Sequence, residues 1–241
     1  MSQVSRVFGI IVSVISLGWA GTALGQPAES PTLANYQNWQ GLWNFLRQEN
    51  DPPGTGRPLG SRDPGLCLVS PGDHQMLWHR NPVFVWQGDT FTTGVRPTQA
   101  VDNILWQATV DEEDSGVYRA RYQGAPLEAG THYDWVFYGS ILNPNAISEW
   151  FYFQLMDVDR YEHHAAELAV LQHELEADGA NEEAIALARA DYFLTNDLPN
   201  DAVQAMFSVD TPSAELQAVQ SDLVEKICSG STDLTVPHLA E

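Results

Sequence analysis

The sequence predicts an α+β protein, an antiparallel β-sandwich followed by a small helical bundle. Two observations carry this. Between residues 66 and 157 apolar residues alternate with a period of two, and Gly, Pro, Asn and Asp punctuate the runs at short intervals. From residue 158 apolar residues recur three and four positions apart, the spacing of a helix face. A chain of 241 residues holds one medium domain or two small ones.

Residues 1–25 read as a secretory signal peptide. Arg6 precedes an apolar run from Val7 to Trp19, and Ala23 and Gly25 are small residues at −3 and −1 of a cut before Gln26. The run falls short of the ~20 residues that a bilayer span needs, and no cysteine follows the cut to carry a lipid. Residues 26–65 read as a Pro/Gly-rich tether, with "ENDPPGTGRPLGSRDPG" lacking regular structure. Within it Tyr36, Trp39, Trp43 and Leu46 share one helical face, which predicts a short aromatic helix folded back onto the body or docking a partner.

Residues 66–157 hold seven candidate strands: "LCLVSP", "QMLWHR", "NPVFVWQG", "NILWQATV", "GVYRARYQG", "HYDWVFYG" and "SEWFYFQLM". In "GVYRARYQG", Tyr118, Ala120 and Tyr122 take one face and Arg119 and Arg121 the other. The stretch "LEAGTHYDW", residues 127–135, fixes the type of sandwich. A Tyr near the start of the sixth strand can turn its hydroxyl back onto the preceding corner while its ring closes the core, the tyrosine corner of immunoglobulin-like domains. Tyr133 is that tyrosine, Leu127 plugs the corner, Gly130 permits the turn, and Trp135 points inward beside Tyr133. The motif is architectural and carries no chemistry.

Residues 158–230 form the helical region. In the first helix Tyr161, Ala165, Leu168, Leu171 and Leu175 make an apolar stripe that Gly179 ends. Asn181 caps the second helix, "PNDAVQAMFSV" is a short third, and Thr211 with Pro212 caps a fourth carrying Leu216, Val219, Leu223 and Ile227. Residues 231–241 are a frayed tail.

The mature chain contains two cysteines, Cys67 and Cys228. An even count in an oxidising compartment predicts a disulfide, which would tie the last helix to the first strand. There are 32 acidic residues against 11 basic ones, a net charge of −21, and 17 of the acids lie in residues 158–241. Such a surface repels phosphate backbones and anionic headgroups, so nucleic-acid partners and membrane insertion after signal removal are not expected. The acidity reads as a solvated surface, with capture of a cation or a basic partner as the sharper alternative.

No G-x-S-x-G, H-E-x-x-H, Walker or G-x-G-x-x-G motif is present. No catalytic residue and no cofactor is therefore assigned. The nearest approaches to a metal site are two. His164 and Glu167 stand at i, i+3 in "EHHAAELAVLQHE", where an inverted zinc-protease motif would need His at position 168 and this chain has Leu168; a solvated helix face is the plainer reading. Asp111, Glu112, Glu113 and Asp114 cluster on an expected hairpin turn, where oxygen ligands can hold Ca²⁺, though the 12-residue loop spacing is missing. A charged turn that keeps the sheet soluble is the plainer reading there.

"ARADYFLTNDLPNDAVQAM" resembles a single tetratricopeptide unit, with Ala190, Phe193, Ala202 and Met206 at its small and aromatic positions. More broadly, "PPGTGRPLGSRDPGLC", "PVFVW", "LEAGTHYDW" and the acidic helices ending near a Cys resemble a family of secreted cyanobacterial proteins of unknown function. The resemblance implies export, a β-sandwich and a helical tail, and no activity. The expectation is a secreted, non-catalytic binding or assembly module, in the periplasm or on the cell surface. Its partner would be a protein or an envelope polymer, with divalent cations as a further possibility. The rivals are a carbohydrate-binding module presenting exposed aromatics and a carboxylate-dependent hydrolase.

Overall fold

The structure, a computed structural model, describes residues 66–90, 92–110, 116–139 and 146–229. The signal and tether segments, the acidic turn at Asp111 to Asp114 and the C-terminal tail lie outside the described residues. Eight strands come first: β1 (Cys67–Ser70), β2 (Gln75–Leu77), β3 (Val83–Gln87), β4 (Thr92–Pro97), β5 (Trp106–Thr109), β6 (Val117–Arg121), β7 (His132–Tyr138) and β8 (Ile147–Leu155). Four helices follow: α1 (Val158–Ala177), α2 (Glu182–Thr195), α3 (Pro199–Phe207) and α4 (Ala214–Ser229). The strands make a three-stranded sheet in the order β1-β3-β6 and a five-stranded sheet in the order β2-β8-β7-β4-β5. All pairings are antiparallel except β2 with β8. The protein is thus α+β, with two mostly antiparallel sheets and a helical layer.

The two sheets face each other across an aromatic core. Phe84 and Trp86 of β3 meet Trp135 and Phe137 of β7, with ring centroids 4.8 Å apart for Phe84 and Trp135 and 5.5 Å for Trp86 and Phe137. The corner forms as its spacing predicts. The N–H of Glu128 donates to the Tyr133 hydroxyl at 2.8 Å. Leu127 is buried, and Gly130 adopts φ +72°, a left-handed conformation that glycine enters without steric cost. Trp135 is buried beside Tyr133, and its indole N–H donates to Thr93 Oγ1, so burial leaves no orphan donor.

One strand escaped the alternation pattern. β4, "TTGVRP", contains a Gly and ends on Pro, both depleted in strands. It nevertheless pairs centrally, between β5 and β7. Gly94 is required there: a Cβ would lie 2.8 Å from the carbonyl oxygen of Trp106 and 3.2 Å from the Tyr138 ring. This extra strand makes the Tyr133 strand the seventh in chain order.

The three-stranded sheet is buried on both faces. Its second face, with Val69, Val83 and Val85, shares one apolar cluster with Leu187, Ala190 and Phe193 of α2, Ala202 and Met206 of α3, and Leu216 and Leu223 of α4. Ala190 and Ala202 are fully buried, and small residues let α2 and α3 approach closely. Arg119 and Arg121 project to this helix-covered side. They donate to the carbonyls of Val209 and Ser208, just past the end of α3, where the helix dipole favours cations. The helix caps follow Asx and Ser chemistry. Asn181 accepts from the N–H of Ala184 at 2.8 Å, and Ser213 Oγ accepts from Leu216 at 3.2 Å. The cap of α4 is therefore Ser213, two residues beyond the expected Thr211. Glu183 of α2 holds Ser213 through both its N–H and its hydroxyl, which explains the choice.

Cys67 and Cys228 form a disulfide, with Cα atoms 5.7 Å apart and a sequence separation of 161. It ties the end of α4 to the start of β1. For a loop of this length the chain-entropy model gives about 5 kcal/mol. No helix among the described residues is long and apolar enough to cross a membrane.

Two substitutions test the inter-sheet core. Tyr133→Phe keeps the ring and removes one buried hydroxyl bond, and should cost about 1 kcal/mol. Trp135→Ala should cost ~3–5 kcal/mol. Denaturant midpoints measure both, and a neutral Trp135→Ala would show the inward face to be misassigned.

Candidate functional site

The site begins with α3. Seven of its nine residues are buried, including the polar Asp201 and Gln204. A helix enclosed in this way must satisfy its polar side chains within the protein. Asp201, 0% exposed, accepts from the N–H of Trp78 with both carboxylate oxygens (2.9 and 3.0 Å) and from the N–H of His79 at 3.2 Å. It also meets His79 Nδ1 at 2.7 Å. One turn along, Gln204 accepts from the N–H of Val83 at 2.6 Å and donates to its carbonyl at 2.8 Å and to Ser70 Oγ at 2.8 Å. The i, i+3 pair therefore clamps the β2–β3 connection and the start of β3.

Beside this clamp lies a cleft of about 490 Å³ between the helices and the three-stranded sheet. His79 and Asn81 come from the β2–β3 connection, Arg121 from β6, Arg189 from α2 and Gln204 from α3. Glu176 of α1 and Glu182 of α2 complete the lining with opposite charge. Asp201 holds His79 through Nδ1, and His79 Nε2 has no hydrogen-bond partner among the described residues. Arg121 is already committed to Ser208 and to Asp210, 2.8 Å away. Arg189 differs. Its guanidinium stands 5.7 Å from the Trp78 ring centroid, and its buried Nε–H has no acceptor among the described residues. Burial lowers its pKa, opposed by the charge of Asp201. A half-buried cation held by an aromatic face in the wall of a cleft is suited to an anionic ligand group.

The candidates from sequence fall elsewhere. His164 and Glu167 lie on α1, and both reach Tyr192 of α2. His164 Nδ1 is 2.7 Å from the Tyr192 oxygen, which donates to Glu167 Oε2 at 2.6 Å. His163 Nε2 stands 3.8 Å from Glu167 Oε1. His163 and Glu167 are exposed, but His164 is only 8% exposed, so the solvated-face reading fails for that residue. The cause is the close α1/α2 contact, which covers it with Tyr192. A phenol has one proton. With that proton donated in the hydrogen bond to Glu167 Oε2, His164 supplies Nδ1–H to the phenol oxygen and keeps a lone pair on Nε2. Burial, first, and the nearby charge of His163 lower the His164 pKa. Burial and the hydrogen bond to Glu167 push the Tyr192 pKa well up. Asp111, Glu112, Glu113 and Asp114 lie outside the described residues.

Sequence reasoning missed Arg189, His79 and Asp201. His79 and Asp201 are 122 residues apart, so no local spacing links them, and Arg189 sits in a helix whose small and aromatic residues dominate the pattern. Comparison of the chain with protein-family models, curated proteins and solved structures finds no match.

Asp201→Ala should leave two buried N–H donors unpaired and cost ~3–5 kcal/mol in chemical denaturation, the range for a buried charge-assisted network. His164 supplies a pH test. Its folded pKa lies below the unfolded value, so its contribution is present above pH ~6.5 and is lost as pH falls below it. In EDTA-containing buffer His164→Gln should flatten the loss of stability as pH falls below about 6.5. An unchanged profile would place the titrating group elsewhere.

Proposed function

We propose that the protein is an exported, non-catalytic binding module of the cell envelope, in the periplasm or at the cell surface, and that the cleft at Arg189 seats its ligand. The observation that carries this reading is the Arg189 guanidinium, braced on Trp78 in the wall of the cleft and without a hydrogen-bonded acceptor among the described residues. It calls for a carboxylate or a similar planar anion. Glu176 and Glu182 on the same lining disfavour a polyanion and favour a ligand that also carries a cationic group. A zwitterion, such as an amino acid or the end of a short peptide, fits both, and agrees with a protein or peptide-bearing envelope polymer as partner. The signal-like residues 1–25 and the Cys67–Cys228 bond support export. The resemblance to secreted cyanobacterial proteins points the same way.

We read the two sheets as an immunoglobulin-like sandwich. The order β1-β3-β6 against β2-β8-β7-β4-β5 and the Tyr133 corner favour this reading. A catalytic function has one feature in its favour, the His79–Asp201 pair, with no hydrogen-bond partner for Nε2 of His79 among the described residues. Binding is the better-supported reading because the same cleft carries the Arg189 guanidinium as a recognition group for an anion. Carbohydrate binding is favoured by one other feature, Trp150 on β8 at 47% exposure.

Calorimetric titration with α-amino acids, dipeptides and neutral oligosaccharides separates the readings. A zwitterion should bind, and Arg189→Gln should weaken it at least about tenfold, the loss of one charge-assisted pair. Oligosaccharide binding abolished by Trp150→Ala and indifferent to Arg189→Gln would replace this reading with the carbohydrate one. Turnover of hydrolase substrates abolished by Asp201→Asn would replace it with the catalytic one.

A further inference from the structure

We propose that His163, His164 and Glu167 of α1, backed by Tyr192 of α2, form a binding site for a divalent transition-metal cation of the zinc class, separate from the cleft. One nitrogen from each imidazole and one carboxylate oxygen all lie within 4.8 Å of one another, and this is the metal-capable group found among the described residues. Two imidazoles and a carboxylate are the donor set of zinc and its neighbours, whereas Ca²⁺ and Mg²⁺ need a shell of oxygens.

The arrangement is more than three side chains on one helix. Tyr192 grips the inner two from the facing helix, contacting His164 Nδ1 at 2.7 Å and Glu167 Oε2 at 2.6 Å. That fixes the His164 ring and turns the other carboxylate oxygen, Oε1, toward His163. Metal ligands are commonly held in this way, with a second group on the far side of each one. His163 and Glu167 are exposed, so an ion can reach the site and both can close on it by rotamer change. Three protein ligands leave a position for water. The net charge of −21 concentrates cations at the surface in general, while the imidazoles select among them.

The probe is Zn²⁺, titrated by calorimetry into the full mature chain after chelator stripping, with Ca²⁺ in parallel. The site predicts one saturable Zn²⁺ event that millimolar Ca²⁺ does not compete away. His163→Ala and Glu167→Gln should each weaken it at least about tenfold, with unchanged far-UV circular dichroism because both residues are exposed. Tyr192→Phe, which keeps the ring and removes only the hydroxyl, should weaken it about tenfold without changing the stoichiometry. His173→Ala should have no effect. The proposal is overturned if Zn²⁺ does not bind saturably, or if binding survives His163→Ala and Glu167→Gln, or if Ca²⁺ displaces it. Arg189→Gln leaves this site untouched, so its outcome is independent of the ligand in the cleft.

Discussion

A carboxylate with no access to solvent ties the two halves of this protein together. Asp201 enters the interior on α3 and accepts hydrogen bonds from the N–H groups of Trp78 and His79. Those N–H groups belong to the connection between β2 and β3, which leaves one sheet and enters the other. It therefore cannot satisfy them all within a strand ladder. Gln204 does the same for Val83, the first residue of β3. An unpaired buried donor costs about 1–3 kcal/mol, so the sheets as they stand need α3 in place. The converse also holds, because α3 is enclosed and has no polar face to offer water. Apolar contact adds to the constraint, since Val69, Val83 and Val85 have their outward faces covered by helices. The Cys67–Cys228 bond closes the same junction from the other end of the helical layer.

This dependence explains what could be read in the sequence. Strands with one face in the inter-sheet core, such as β8, announce themselves by alternation. So does the corner, because "LEAGTHYDW" packs its information into nine consecutive residues. The helices and the disulfide were legible for similar reasons: periodicity is local, and two cysteines have a single way to pair. β4 was not legible, because Gly94 and Pro97 mimic a loop, although Gly94 answers to the close approach of Trp106 and Tyr138. The burial of His164 was not legible either, since it depends on where α2 lies against α1. The cleft was least legible of all. His79, Arg121, Arg189 and Gln204 come from four elements, and only the folded chain brings them to one wall.

Charge gives the same structure a functional slant. Several of the basic side chains are spent on architecture: Arg80 on the carbonyl of Leu127, Arg96 on Asp134, Arg119 and Arg121 on the end of α3, and Lys226 on Asp222. Arg189 has Trp78 beneath it and a buried Nε–H with no acceptor among the described residues. Arg80 and Arg119 are bound to carbonyls, but among these side chains Arg189 alone stands in the cleft with no acceptor for its buried Nε–H among the described residues. It stands where the Asp201 clamp positions Trp78 and His79, so the binding reading inherits the rigidity of the junction.

The central claim is that helices and sheets open as one unit because α3 and β3 complete each other. Native-state hydrogen exchange on the protein with its disulfide reduced tests this most directly, since the covalent tie is then absent. The account predicts that the slowest amides of β3 and of α3 exchange at the same opening free energy, and that both equal the global stability. If α3 and α4 exchanged through an opening of clearly lower free energy while β3 stayed protected, the sheets would be shown to stand without the helix, and the account would be contradicted.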